Sequence, residues 1–319
     1  MKLVAFMAPS IFAGLMALKN ADELAGWGLK WWGRISRKKK QVIAPEESVP
    51  TRFIKLFEAH GVHKNQIPVF FGHGLTISDL SSQEVLLQKL SEEVLSDACK
   101  LFNIRREWLD GVDEQIYPEN DFYKRPEEFE KFLCGFGDIE KLRGVLLFPE
   151  EPSPDYPYAL MILGEPVGNI GDKVIHRYYI CNGWVYNYWK SQAYLTACVA
   201  IAWKHHAYII GRYTSHDLIK SLSFGQCFLE YKIDTALPVA GRMFYPEDMA
   251  LKPDDYMVAI TPEDKGYGAV NALELWLRLH SEGFMETGLP YPSEEIRGSF
   301  QNRLNEIQDQ YPESGRGTL

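Results

Sequence analysis

The sequence predicts a mixed fold: an all-α helical domain followed by an α+β domain, with a hydrophobic and amphipathic helical arm in front of both. Three observations predict it. Apolar side chains recur at helical spacing between residues 51 and 118; from about residue 140, short apolar runs bounded by Pro, Asp and Gly read as strands around one long buried helix; and residues 3–18 are almost entirely apolar. At 319 residues, 46% hydrophobic and 24% charged, the chain has the composition of a globular protein with a sizeable core, which excludes the disordered and collagenous classes. The boundaries read as an arm at 1–40, a linker at 41–50, a helical domain at 51–118, a connector at 119–139, an α+β sensor or oligomerisation domain at 140–285, and a C-terminal helix with a disordered tail at 286–319.

The arm opens with LVAFMAPSIFAGLMAL, residues 3–18. This run falls short of the roughly 20 apolar residues that a membrane-crossing helix needs, and Pro9 interrupts it. It lacks a clean small-x-small cleavage site, so it is a poor secretory signal. Behind it, ADELAGWGLKWWGRISRKKK (21–40) spaces Leu24, Trp27, Trp31 and Ile35 helically and ends in a basic cluster. Trp27, Lys30, Trp31, Trp32 and Arg34 are the residue types that settle at a lipid headgroup interface, giving residues 3–36 a membrane-surface reading. The other reading buries residues 3–18 as a core helix with Trp27 and Trp31 as its partners. The first 50 residues carry a net +4 within a total of −9. Positive charge behind an inserted segment keeps the rest of the chain in the cytoplasm, on the inner face of the membrane. Cys99, Cys134, Cys181, Cys198 and Cys227 are odd in number and lack metal or redox spacing, which also fits reduced thiols in the cytoplasm. The prolines of QVIAPEESVP (41–50) mark a linker.

In FIKLFEAHGVHKNQIPVFFG (53–72), Phe53, Ile54, Phe57, Val62, Ile67 and Phe71 suit two short helices buried on one side. Gly61 closes the first, Asn65 is an N-cap candidate for the second, and Gly72 ends it. SEEVLSDACKLFNIRREWLDG (91–111) adds a Ser91-capped amphipathic helix and a turn that folds Trp108 and Leu109 back on the core. On these residues the segment resembles the lambda-repressor-like (Xre or Cro type) helix-turn-helix domain. The resemblance implies that a third helix, in HGLTISDLSSQEVLLQKL (73–90), enters the major groove of duplex DNA, with Lys64, His73, Thr76, Ser78, Gln83 and Lys89 as the contacting side chains. This recognition helix is atypical: it has no Lys or Arg before Lys89, and residues 51–118 carry seven basic against ten acidic residues.

The second half reads as strands at 143–150, 158–166 and 176–184, a buried helix at 187–206, strands at AYIIGRY and QCFLEYKI, and the short helix SHDLIKSLS between them. The order is that of an α+β sensor domain with PAS- or GAF-like architecture, from which function does not follow. GEPVGNIGD (164–172) lacks the Lys-Ser/Thr of a phosphate loop and reads as a hairpin turn. His205, His206 and His216 read as polar caps before metal ligands, and Cys181 and Cys198 as inert buried thiols. No nucleophile-base pair or paired carboxylates stand out, so no enzyme, cofactor or metal is expected. The expected function is a DNA-binding transcriptional regulator of bacterial type, homo-oligomeric, with a sensing or oligomerisation domain behind it whose ligand the residues leave unnamed. The alternative is a membrane-associated adaptor whose helical domain binds protein.

Overall fold

A computed structural model describes residues 47–151, 158–229, 241–260 and 267–311. The chain divides into two units, Met1–Glu46 and Glu47–Leu319, and every described residue belongs to the second. The arm, with Trp27, Lys30, Trp31, Trp32 and Arg34, therefore lies outside the described residues, as does the tail from 312.

Helix α1 (Val49–Ala59) begins inside the stretch expected as a linker, because the Ser48 hydroxyl accepts from the Thr51 N–H and Pro50 stands in the first turn, where no amide donor is needed. It ends at His60 and Gly61, the latter at φ +84°, as expected. A 3-10 turn (Lys64–Gln66) runs into α2 (Ile67–Phe71). Its cap is His63 and not Asn65: the His63 ring accepts the Asn65 N–H while the Gln66 side chain accepts the His63 N–H. Residues 73–90 are not one helix. Gly72, His73 and Gly74 all have left-handed backbone (φ +77°, +54° and +68°), which ends α2, and helix resumes only at α3 (Gln83–Lys89), capped by Ser82. Then come α4 (Glu92–Phe102), capped by Ser91, and α5 (Arg106–Leu109), which buries Trp108 and Leu109.

Strand β1 (Glu119–Asp121) and helix α6 (Pro126–Cys134) lead to β2 (Arg143–Pro149), β3 (Tyr158–Ile170) and β4 (Lys173–Val185). The β3–β4 turn sits at Gly171 and Asp172, so most of GEPVGNIGD is strand and only its end is turn. The expected buried helix is α7 (Trp189–Lys204), followed by β5 (Tyr208–Thr214) and α8 (His216–Ser223). Gln226–Leu229 is not strand, and the rest of QCFLEYKI lies outside the described residues. The chain continues through β6 (Met243–Phe244), α9 (Asp248–Leu251), α10 (Pro253–Met257), α11 (Tyr267–Ser281) and α12 (Ser293–Gln310). Ser293 is the first residue of α12 rather than its cap; its hydroxyl meets the His280 ring at 3.0 Å.

The described strands form one mixed sheet in the order β1-β4-β3-β2-β5-β6, with β2 parallel to β5 and antiparallel to β3. Both faces are covered, which is why β2 is apolar without alternation. Val145 and Leu147 join the core beneath α1–α5 and α8, whereas Leu146 and Phe148 join the core beneath α6 and α7. A third cluster, around Tyr256, Trp276 and Phe300, packs α10–α12 against the outer side of α7. The helical layer and the sheet are thus continuous in one core, and side chains of the β3–β4 hairpin close the ends of the helices. Lys173 donates to the Gly61 carbonyl past α1, and Arg177 to the Lys100 carbonyl in the last turn of α4. These are the positions where a helix leaves carbonyls unpaired and favours positive charge.

Candidate functional site

The residues expected to meet DNA all lie on the helical layer, but they do not converge on one surface. Lys64 and Gln83 do come together. They line an open cleft of about 460 Å³ between α1 and the start of α3, with Thr51, Lys55, Glu58 and Ser82. Its polar wall is partly committed, since the Ser48 hydroxyl donates to the Gln83 side-chain Oε1 at 2.7 Å and the Lys55 ammonium sits 3.0 Å from Glu47.

Thr76 and Lys89 turn instead to Asp79. The Thr76 N–H and hydroxyl both donate to Asp79 Oδ2, at 2.9 and 2.7 Å, and the Asp79 N–H returns a bond to Thr76 Oγ1. This closed pair replaces the expected helix with a turn, because the side chains offer the backbone a competing set of partners. The Thr76 hydroxyl and amide, helped by Lys89 3.9 Å away, hold the Asp79 carboxyl below the usual carboxylate range. Ser78 is exposed on the same loop, and its carbonyl accepts the Ser81 N–H.

His73 faces a different groove, of about 380 Å³, with Phe70, Phe71, Lys100 and Arg177. Its ring stacks on Phe71 at 4.3 Å, and its Nε2 lies 3.7 Å from Asp97.

Arg52, Lys55, Lys89, Lys100, Arg105 and Arg106 each pair with a carboxylate of the chain itself. Arg106 is held on two sides, by Glu92 at 2.6 Å and Asp110 at 2.8 Å, and the bonded carboxylates raise its pKa further. Among the described residues, Lys64 is the one Lys or Arg between 47 and 111 with no acidic partner, whereas Glu58, Glu84 and Glu93 have no basic one. The same layer exposes aliphatic side chains: Val69 is 92% exposed, Ile77 62% and Leu87 56%.

His60, which the sequence offered only as part of the turn closing the first helix and as a weak metal-ligand candidate with His63 and His73, is buried at the end of α1. Its signal was no more than a histidine before glycine; its partners, Tyr117 and Tyr178, come from far along the chain. Among the described residues no group of three His, Cys, Asp or Glu is arranged to hold a metal, and no helix is long and apolar enough to cross a membrane. His205 bonds Glu130 at 2.8 Å. Cys181 and Cys198 are fully buried, and burial pushes both thiols up, away from the reactive thiolate. Comparison of the chain with models of known protein families, with curated proteins and with solved structures found no match.

Proposed function

We propose that the helical layer docks a protein partner and that the chain acts as an adaptor, with residues 3–36 as its attachment to a membrane surface. The observation that carries this reading is the pairing of the layer's cations with its own carboxylates. Affinity for nucleic acid comes largely from Lys and Arg that replace counterions on phosphates, and a cation already held by a carboxylate has little left to offer. Exposed Val69, Ile77 and Leu87 supply instead the apolar area that a protein interface buries. The seven-residue α3, entered through a turn fixed by Thr76 and Asp79, further weakens the case for a helix that reads the major groove.

A DNA-binding transcriptional regulator is the second reading, with a lambda-repressor-like layer and a PAS- or GAF-like sensing or oligomerising half behind it. It is favoured by Lys64 and Gln83 sharing one cleft. A salt titration of the full chain against random duplex DNA, beside Lys64→Glu, separates the two. The adaptor reading expects no binding even at low salt. Tight binding that falls with salt and disappears in Lys64→Glu would overturn it. For the arm, the full chain is expected to sediment with anionic vesicles and a chain lacking residues 1–40 to stay in the supernatant; equal behaviour of the two would remove the membrane attachment.

A further inference from the structure

His60 stands where the helical layer meets the sheet. Its ring lies 4.2 Å from Phe102 of α4 and 5.8 Å from Tyr178 of β4, with Phe228 and Tyr117 edge-on at 5.9 and 6.2 Å. Only 1% of the residue reaches solvent. Nδ1 lies 2.8 Å from the Leu56 carbonyl, which can only accept, so Nδ1 carries the hydrogen. Nε2 is then a bare acceptor for the Tyr117 hydroxyl at 3.3 Å, and that hydroxyl is itself bonded to the Leu229 backbone. The bonds therefore select the neutral imidazole in one tautomer.

The Leu56 carbonyl favours a charged ring, but burial outweighs it. Among the described residues the titratable groups around His60 are Tyr117, two residues before β1, Tyr178 of β4 with His176 stacked beyond it, and Cys227 beside Tyr117. On the next residue, the Gly61 carbonyl accepts from the Lys173 ammonium, so the charged group packed beside His60 is itself a cation. Among the described residues no carboxylate acts on His60, and its burial lowers its pKa from 6.5 to about 4. A second proton would place an uncompensated charge in an aromatic box and set two donors, Nε2–H and the Tyr117 hydroxyl, against each other.

We propose that protonation of His60 releases the helical layer from the sheet, so that the layer's attachment is acid-sensitive while the sheet and its α7 side stay folded. The sign follows from the neutral form being the native one. The attachment is complete above pH 6.5, where an exposed histidine is also neutral. It weakens as pH falls from 6.5 towards 4, the interval in which the released layer binds a proton that the docked one refuses. Such a layer is a two-state element biased by one proton.

Hydrogen-exchange protection factors in the full chain test this at pH 7 and pH 5. Amides of α1 and α4 are expected to open roughly 20-fold more at pH 5 in the native protein, with β2 and α7 unchanged. His60→Phe, which fills the box without a titratable group, is expected to flatten that dependence. If His60→Phe does not fold, the native protein still decides by ring resonance: His60 is expected to stay neutral in the docked state through pH 5. Equal loss of protection in α1 and β2, unchanged acid sensitivity in His60→Phe, or a docked His60 ring that titrates near 6.5 would each overturn the proposal.

Discussion

Asn103 ends α4 with φ +52°, in the left-handed region, while its side-chain amide donates to the Tyr178 carbonyl of β4 at 2.9 Å. Asparagine suits both roles: it tolerates that backbone better than most residues, and it reaches across to the sheet. The roles separate by substitution. Asn103→Gly keeps the turn and loses the bond, and about 1 kcal/mol of stability is expected to go with it. Asn103→Ala loses both, and is expected to fall about another 1 kcal/mol lower. Urea midpoints of the two variants check the order. Gly144 shows the opposite constraint: a Cβ there would stand 2.6 Å from Ile209 Cγ1, so Gly144→Ala forces the parallel pair β2 and β5 apart and is expected to cost about 1–3 kcal/mol. Neither role is legible in the sequence, because each depends on a neighbour contributed by a distant strand. Trp108 and Leu109 are the contrary case: their burial was readable from local apolar spacing alone.

The start of α4 at Ser91 was legible because its signal is local, whereas the Asn65 and Ser293 caps were misplaced by one or two residues. Ser82, Ser91 and Ser215 each accept the backbone N–H three residues on, from Val85, Val94 and Leu218. Ser91→Ala is expected to lower stability by about 1 kcal/mol, visible as a drop in melting temperature. The third helix in residues 73–90 was expected from the resemblance alone; the buried Leu75, Leu80, Leu86 and Leu90 are five, six and four residues apart, which is not one helical stripe. The turn between them is set by hydrogen bonds of Thr76 and Asp79, which periodicity does not record. Of the six candidate DNA contacts, two share a cleft, two face Asp79, one faces another groove and Ser78 is exposed on the loop. At the far end of the chain Phe300 is the largest side chain by which α12 enters its core, lying 3.5 Å from Trp276 at an interplanar angle of 4°, with Leu304 and Ile307 buried beside it. Phe300→Ala is expected to cost about 3–5 kcal/mol, with α12 the first site of limited proteolysis. Cleavage starting elsewhere would show that Leu304 and Ile307 hold α12 without the Phe300 stack.

At the scale of the whole molecule, the mixture of helix and sheet was legible, and so were β2, β4, α7 and β5 close to their observed limits. The strand order was not. β2 pairs in parallel with β5 across an intervening hairpin and helix, and no local pattern of apolar residues encodes a partner that far away. Nor did the sequence indicate that one continuous core would run from Phe53 through Tyr178 to Leu222.

The closure of α1 and α4 by Lys173 and Arg177 has a consequence for how such a chain can be inherited. A recombination that moved residues 47–118 into another gene would transfer the serines that begin its helices and leave behind the cations that finish them. The segment and the β3–β4 hairpin must therefore travel together, and relatives of this protein are expected to have gained or lost both at once.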